Sequence, residues 1–218
     1  MELKGKKINF LGDSITQGHG VSDASKCFVS LISEREGVIG RNYGIGGTRL
    51  AKQKNEPFQE ILDKDFCVRA LQMDSDADVV VVFGGTNDFG HGDAPFGRFE
   101  NDKNNDTFCG AVHTLCKILL EKYPDSDIVF ITPLHRINED DIFGDCKPEA
   151  VATLNEYVDA IRKITEFYSI PVLDLFASSQ MQPKVPFIKE KFMPDGLHPN
   201  DAGHEILARK ITAYLKSL

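Results

Sequence analysis

The chain has 218 residues, 41% of them hydrophobic and 27% charged, which suits one globular domain over 1–218 with ample apolar material for a core. A formal net charge of -8, from 33 acidic against 25 basic residues, repels phosphate backbones and argues against a nucleic-acid partner. No apolar run approaches the roughly 20 residues of a membrane span, and Met-Glu-Leu-Lys-Gly-Lys-Lys at the start lacks a signal-peptide core, so a cytoplasmic protein with no membrane partner is expected.

Ile8 to Leu11 reads as the first strand. Ser25 to Glu36 has helical character. Val38-Ile39 leads into a weaker second strand near Arg41-Asn42-Tyr43, and Pro57 to Leu71 is helical with a break. Val79 to Phe83 is the clearest strand, followed by a long loop from Phe89 to Asp106. Phe108, Val112, Leu115 and Leu119 recur at helical spacing. Ile128 to Ile131 is a fourth strand and Leu134 to Lys147 a loop, whose acidic run Glu139-Asp140-Asp141 reads as solvated. Val151, Leu154, Val158, Ile161 and Ile164 make another helix and Val172-Leu173 a fifth strand. Ser178 to Pro194 reads as loop, and a last helix from Asp201 to Leu218 has Asn200 as its N-cap. Strands this short, β-branched and apolar throughout are expected to be buried on both faces of a parallel sheet. Their alternation with helices predicts a doubly wound α/β/α sandwich with five parallel strands.

There are 5 cysteines, an odd number with no CxxC spacing, so a complete set of intrachain disulfides is excluded. Cys109 and Cys116 lie two helical turns apart, about 10 Å, too far to bridge.

Each strand ends in glycine or polar residues: Gly12-Asp13-Ser14, then Asn42 to Thr48, then Gly84 to Asp88, then Thr132 to Arg136. In open α/β sheets ligands bind outside the carboxyl ends of the strands, so these groups should share one crevice. Ser14 alone could be a helix cap, a phosphate-binding turn or a nucleophile. Asp195-Gly196-Leu197-His198 supplies what a nucleophile needs, an imidazole base and an acid to fix its tautomer. Asp195 and His198 could equally be a capping residue and a surface histidine. Acyl transfer also needs donors for the developing oxyanion; the backbone N–H groups of Ser14 and Gly47 and the Asn87 amide could supply them, although Gly47 and Asn87 taken singly are ordinary turn residues.

Taken together, Gly12-Asp13-Ser14-Ile15, the Asn42–Thr48 segment, Gly85-Thr86-Asn87-Asp88 and Asp195-Gly196-Leu197-His198 resemble the four blocks of the SGNH (GDSL-type) hydrolase family, in order and across nearly the whole chain. The resemblance implies a flavodoxin-like three-layer fold. It implies Ser14 as nucleophile, His198 as base, Asp195 as its orienting acid, and Ser14, Gly47 and Asn87 as oxyanion donors, with no metal or cofactor. Ile15 replaces the leucine of the family name. Gly46 competes with Gly47 for the oxyanion contact; Gly47 is preferred because it precedes Thr48.

Asp13, Phe89, His135 and Arg136 are candidates for the substrate pocket. Arg136 or Arg49 could bind a carboxylate, phosphate or sugar hydroxyl, with a surface ion pair as the plain alternative for each. His91, close after Phe89, is a further candidate for the pocket wall, and His19 has no assigned place. His113 reads as structural or surface, and His204 as solvated. The expected substrate is a small ester: first an acetyl ester of a carbohydrate-like molecule, second a lipid ester or thioester. A flavodoxin-like phosphate or flavin module, or a glycan-binding pseudoenzyme, is the competing reading. A homo-oligomer through outer helices is left open.

Overall fold

The computed structural model describes residues 1–53, 65–100, 104–145, 147 and 149–218. Among these, the elements in chain order are β1 (Lys7–Gly12), α1 (Ser14–Gln17), α2 (Phe28–Glu36), β2 (Ile39–Gly44), α3 (Phe66–Gln72), β3 (Val79–Phe83) and α4 (Thr86–Gly90). They continue as α5 (Phe108–Lys122), β4 (Asp127–Ile131), α6 (Leu154–Phe167), β5 (Val172–Leu173), α7 (Leu175–Ser178), α8 (Pro186–Phe192) and α9 (Asp201–Ser217). The five strands form one sheet in the order β2-β1-β3-β4-β5, and every neighbouring pair is parallel. That is the flavodoxin-like order, and it puts β1 and β3 in the middle with their carboxyl ends side by side.

Strand alternation divides the core in two. Val80, Val82 and Phe130 face one side and pack with Phe66 of α3, Leu115 of α5 and Ile161 of α6. Val79, Val81 and Val129 face the other and pack with Phe28 and Ile32 of α2 and Leu207 and Ile211 of α9. The sheet is thus the middle layer of an α/β/α sandwich. Burial on both faces holds for β1, β3 and β4, but β2 is an edge strand and Ile39 is 51% exposed.

Several boundaries differ from those expected. The helix expected over 25–36 is a 3-10 turn (Ala24–Lys26) and α2, separated by Cys27 in an extended conformation. There the Phe28 N–H donates to His204 Nδ1 at 3.1 Å, a tertiary bond that no local pattern reports. Of the helix expected over 57–71, α3 forms the end; the part before residue 65 lies outside the described residues. The supposed loop at 178–194 contains α8, opened by Pro186, whose fixed φ suits the first turn. The loop from Phe89 begins inside α4. Helix α6 starts at Leu154 rather than Val151, because the Glu156 carboxylate accepts the Thr153 N–H at 2.8 Å and closes its first turn. Cys27, Cys67, Cys109 and Cys116 are buried free thiols. No helix of the described residues is long and apolar enough to cross a membrane.

Candidate active site

The turn after β1 is built around Ser14. Asp13 caps α1 by accepting the Ile15 N–H at 3.0 Å, and Ser14 is the first helical residue. An N–H at that position has no intrahelical acceptor, so it is left as a donor. Gly12 is required by space: a Cβ there would stand 1.9 Å from Thr16 Oγ1. The turn after β2 lies alongside. Gly46 N–H donates to Gln17 Oε1 at 2.8 Å, which commits it. The Gly47 N–H has no protein acceptor among the described residues, and its φ of +76° suits a residue without a Cβ. A Cβ on Gly46 would lie 3.6 Å from Ser14 Cβ, so this loop borders the serine directly.

Asn87, in α4 after β3, donates one amide hydrogen to Thr48 O at 3.1 Å, leaving the other without an acceptor among the described residues. The turn before α9 brings the remaining groups. His198 Nε2 is 3.0 Å from Ser14 Oγ, and His198 Nδ1 is 2.7 Å from Asp195 Oδ2. A carboxylate only accepts, so Nδ1 carries the ring proton and Nε2 is free to receive that of the serine. Asp195 Oδ1 accepts the N–H groups of Leu197 at 2.8 Å and His198 at 2.7 Å. Burial raises the Asp195 pKa, but those bonds and the one from the His198 ring outweigh it and hold the carboxyl below its ordinary value. Burial lowers the His198 pKa, and the pull of Asp195 only partly opposes it. The imidazole is therefore neutral, as a base must be, into mildly acidic solution.

Residues not singled out in the sequence hold these turns in place. Arg69 of α3, buried, donates to Gly12 O at 3.0 Å, to Thr48 Oγ1 at 2.7 Å and to Tyr43 O, tying the ends of β1 and β2 together. Asp88 accepts the N–H groups of Leu50 at 3.0 Å and Ala51 at 2.9 Å, tying the Asn87 turn to the Gly47 loop. Arg69 carries no sequence signal, because its helix position and its acceptors lie in separate segments. Asp88 lies inside the third block, but its acceptor role depends on Leu50 and Ala51, in a separate segment.

Several candidates stand elsewhere than expected. Phe89 is fully buried, edge-on to Tyr157 and 5.3 Å beneath the Arg136 guanidinium, so it belongs to the core and not to a pocket wall. Asp13 is buried under the turn, and desolvation raises its pKa to about 7. Arg136 is buried and donates to Thr86 O at 3.0 Å, Thr86 Oγ1 at 3.1 Å, Asn138 Oδ1 at 2.8 Å and Asp145. His135 binds Glu139 through Nδ1 at 2.6 Å and lies against Phe176. Glu139 is itself buried, not solvated. His204 is also buried rather than solvated, because its Nδ1 serves the Phe28 N–H. His113 is structural, held between Tyr168 Oη and Phe99 O, each at 3.0 Å.

His19 reaches the site: its ring centroid is 4.3 Å from that of His198. Ligand atoms of His19, Asp195 and His198 lie within 4.8 Å of one another, the one such cation-holding group among the described residues. Two of the three already serve the hydrogen-bond chain to Ser14, so an ion held there would compete with that chain for His198.

A family model described as the GDSL-like lipase/acylhydrolase family matches residues 10–206. A solved structure 32% identical to the chain aligns with a TM-score of 0.85 over 100% of this chain and 99% of that one. A Lactobacillus plantarum protein is 29% identical, with a TM-score of 0.83 over 99% and 98%. A two-domain esterase active on acetylated mannans shares the fold at 19% identity and a TM-score of 0.65, over 99% of this chain and 49% of that one. No curated protein matches. With the model spanning all four blocks that meet at the carboxyl end of the sheet, the chain belongs to the GDSL-like lipase/acylhydrolase family of carboxylic ester hydrolases.

Proposed function

We propose that Ser14 is the nucleophile of an acyl-enzyme mechanism, with His198 as base, Asp195 as the residue orienting it, and the Ser14 N–H, Gly47 N–H and Asn87 amide as the oxyanion donors. The observation that carries this reading is the continuous chain Ser14 Oγ, His198 Nε2, His198 Nδ1, Asp195 Oδ2, with links of 3.0 and 2.7 Å. His198 takes the Ser14 proton as Oγ bonds to the ester carbonyl carbon. The tetrahedral oxyanion is held by the three donors, and collapse expels the alcohol, which takes the proton from His198. Water, deprotonated by the same imidazole, then releases the acid and restores Ser14.

For the substrate we favour a short acyl ester, acetyl first, of a polar alcohol such as a carbohydrate. The surroundings of His198 support this: His19, Arg49 and His91 are polar side chains on the turns flanking it. The esterase active on acetylated mannans offers the same fold as a precedent. Exposed Ile137, which touches the Asp195–His198 turn, and exposed Phe187 on α8 favour the second reading, a lipid ester. Rates on 4-nitrophenyl acetate, butyrate and octanoate decide between them. A maximum at acetate supports the first reading; a maximum at octanoate overturns it in favour of the second.

A further inference from the structure

Two arginines border the crevice, and they differ in how fully their donors are used. Arg136 is committed on every side, to Thr86, Asn138 and Asp145. Arg49 is half-buried and makes one long bond, Nη2 to His91 O at 3.4 Å. Its Nε is shielded from solvent with no hydrogen-bond partner, and it forms no ion pair with any described residue. Asp88, whose carboxyl lies within reach of the Arg49 charge, directs both oxygens at backbone N–H groups instead. A guanidinium nitrogen shielded from water without a partner costs free energy, and a guanidinium this little used has donors left for an anion.

Its place gives that anion a role. Arg49 follows Thr48, whose carbonyl holds the Asn87 amide at 3.1 Å, and its one bond is to His91, four residues beyond Asn87. Burial lowers the His91 pKa, and the charges of Arg136 and Arg49 act in the same direction, against the pull of Asp145. The Asn87 side of the crevice thus carries two arginines although the molecule is acidic overall, Arg136 bonded to Thr86 O and Arg49 to His91 O.

We infer that Arg49 is a specificity determinant that pairs with an anionic group, a carboxylate in the simplest case, carried by the ester substrate. The inference rests on Ser14 being the nucleophile. A planar guanidinium with only one long bond made matches a carboxylate in a two-bond arrangement, which the point charge of lysine matches less well.

The test uses two ester pairs that differ chiefly in charge: methyl 4-acetoxybenzoate against 4-acetoxybenzoate for the alcohol side, and 4-nitrophenyl hexanoate against the 4-nitrophenyl monoester of adipate for the acyl side. The readout is the ratio of kcat/KM for the anionic over the neutral member. In at least one pair Arg49→Gln should lower that ratio tenfold or more, chiefly through KM, Arg49→Lys should restore part of it, and added salt should lower it in the unaltered protein. A ratio that is the same in Arg49→Gln as in the unaltered protein, for both pairs, overturns the inference. Neutral-ester turnover that persists in Ser14→Ala would instead overturn the nucleophile assignment, so the two failures are distinct.

Discussion

At the residue scale the site is a set of titrating groups whose surroundings pull in opposite directions. His198 is held below the ordinary histidine value near 6.5 by burial, against the pull of Asp195. The kcat/KM profile should therefore rise with pH on the acid side of 6.5 and be flat by about pH 7. Asp195→Asn removes the contributions that raise His198, so the inflection should move further down while kcat falls by about 10² to 10⁴-fold. An unchanged inflection would show that Asp195 does not act through His198.

The buried groups set the pH dependence of stability. Asp13 rises from 3.8 unfolded to about 7 folded, and Asp88 to about 6, both first through desolvation. A carboxyl with a raised folded pKa favours the folded state below pH 4 and loses that contribution as pH climbs through the folded value. His204 has the opposite sign: burial lowers it from 6.5 to about 4, so its contribution is full above 6.5 and is lost as pH falls through 4. Over pH 4 to 6.5 these slopes oppose one another. Asp13→Asn, which keeps an oxygen for the Ile15 N–H, should make Tm rise more steeply with pH across that window and add at least about 1 kcal/mol at pH 8. Parallel Tm profiles for the two proteins would contradict the burial of an ionisable Asp13.

At the element scale, function depends on four turns being held in register by side chains from elsewhere. Arg69→Ala would leave Gly12 O, Tyr43 O and Thr48 Oγ1 without their shared donor. A loss of roughly 2 to 5 kcal/mol is expected in denaturant unfolding, with kcat reduced as the Ser14 and Gly47 turns separate. Asn200, which accepts the Gly203 N–H at 3.1 Å, caps α9 two residues beyond His198; Asn200→Ala should cost about 1 kcal/mol. These supports explain what the sequence could and could not show. Motifs confined to one turn, such as Gly12-Asp13-Ser14 or Asp195 to His198, are readable because their chemistry is local. Arg69, Glu139 and His204 were missed or misplaced because their partners are far along the chain. Helix α8 escapes a sequence reading because seven residues give too little periodicity, and the helical pattern breaks at Cys27, where the Phe28 N–H donates to the distant His204.

At the scale of the whole molecule, the strand pattern carried the architecture: four short apolar runs and the weaker segment near Arg41-Asn42-Tyr43 became five parallel strands, and the polar bursts after β1, β2 and β3 meet at one end of the sheet. The order β2-β1-β3-β4-β5 is what sets β1 between β2 and β3, so that Ser14, Gly47 and Asn87 come from three adjacent strands. His198 arrives from the opposite end of the chain, on a turn preceding a helix that packs against α2. Edge exposure of β2 could not be foreseen from Val38-Ile39, whose apolar character resembles that of the buried strands.

The measurement that bears most directly on this account is 4-nitrophenyl acetate hydrolysis by the unaltered protein and by Ser14→Ala, with fluorophosphonate labelling located by peptide mass spectrometry. Turnover should fall by at least about 10³-fold in Ser14→Ala, with the label on Ser14. Equal turnover in the two proteins, or a label on another residue, would contradict it.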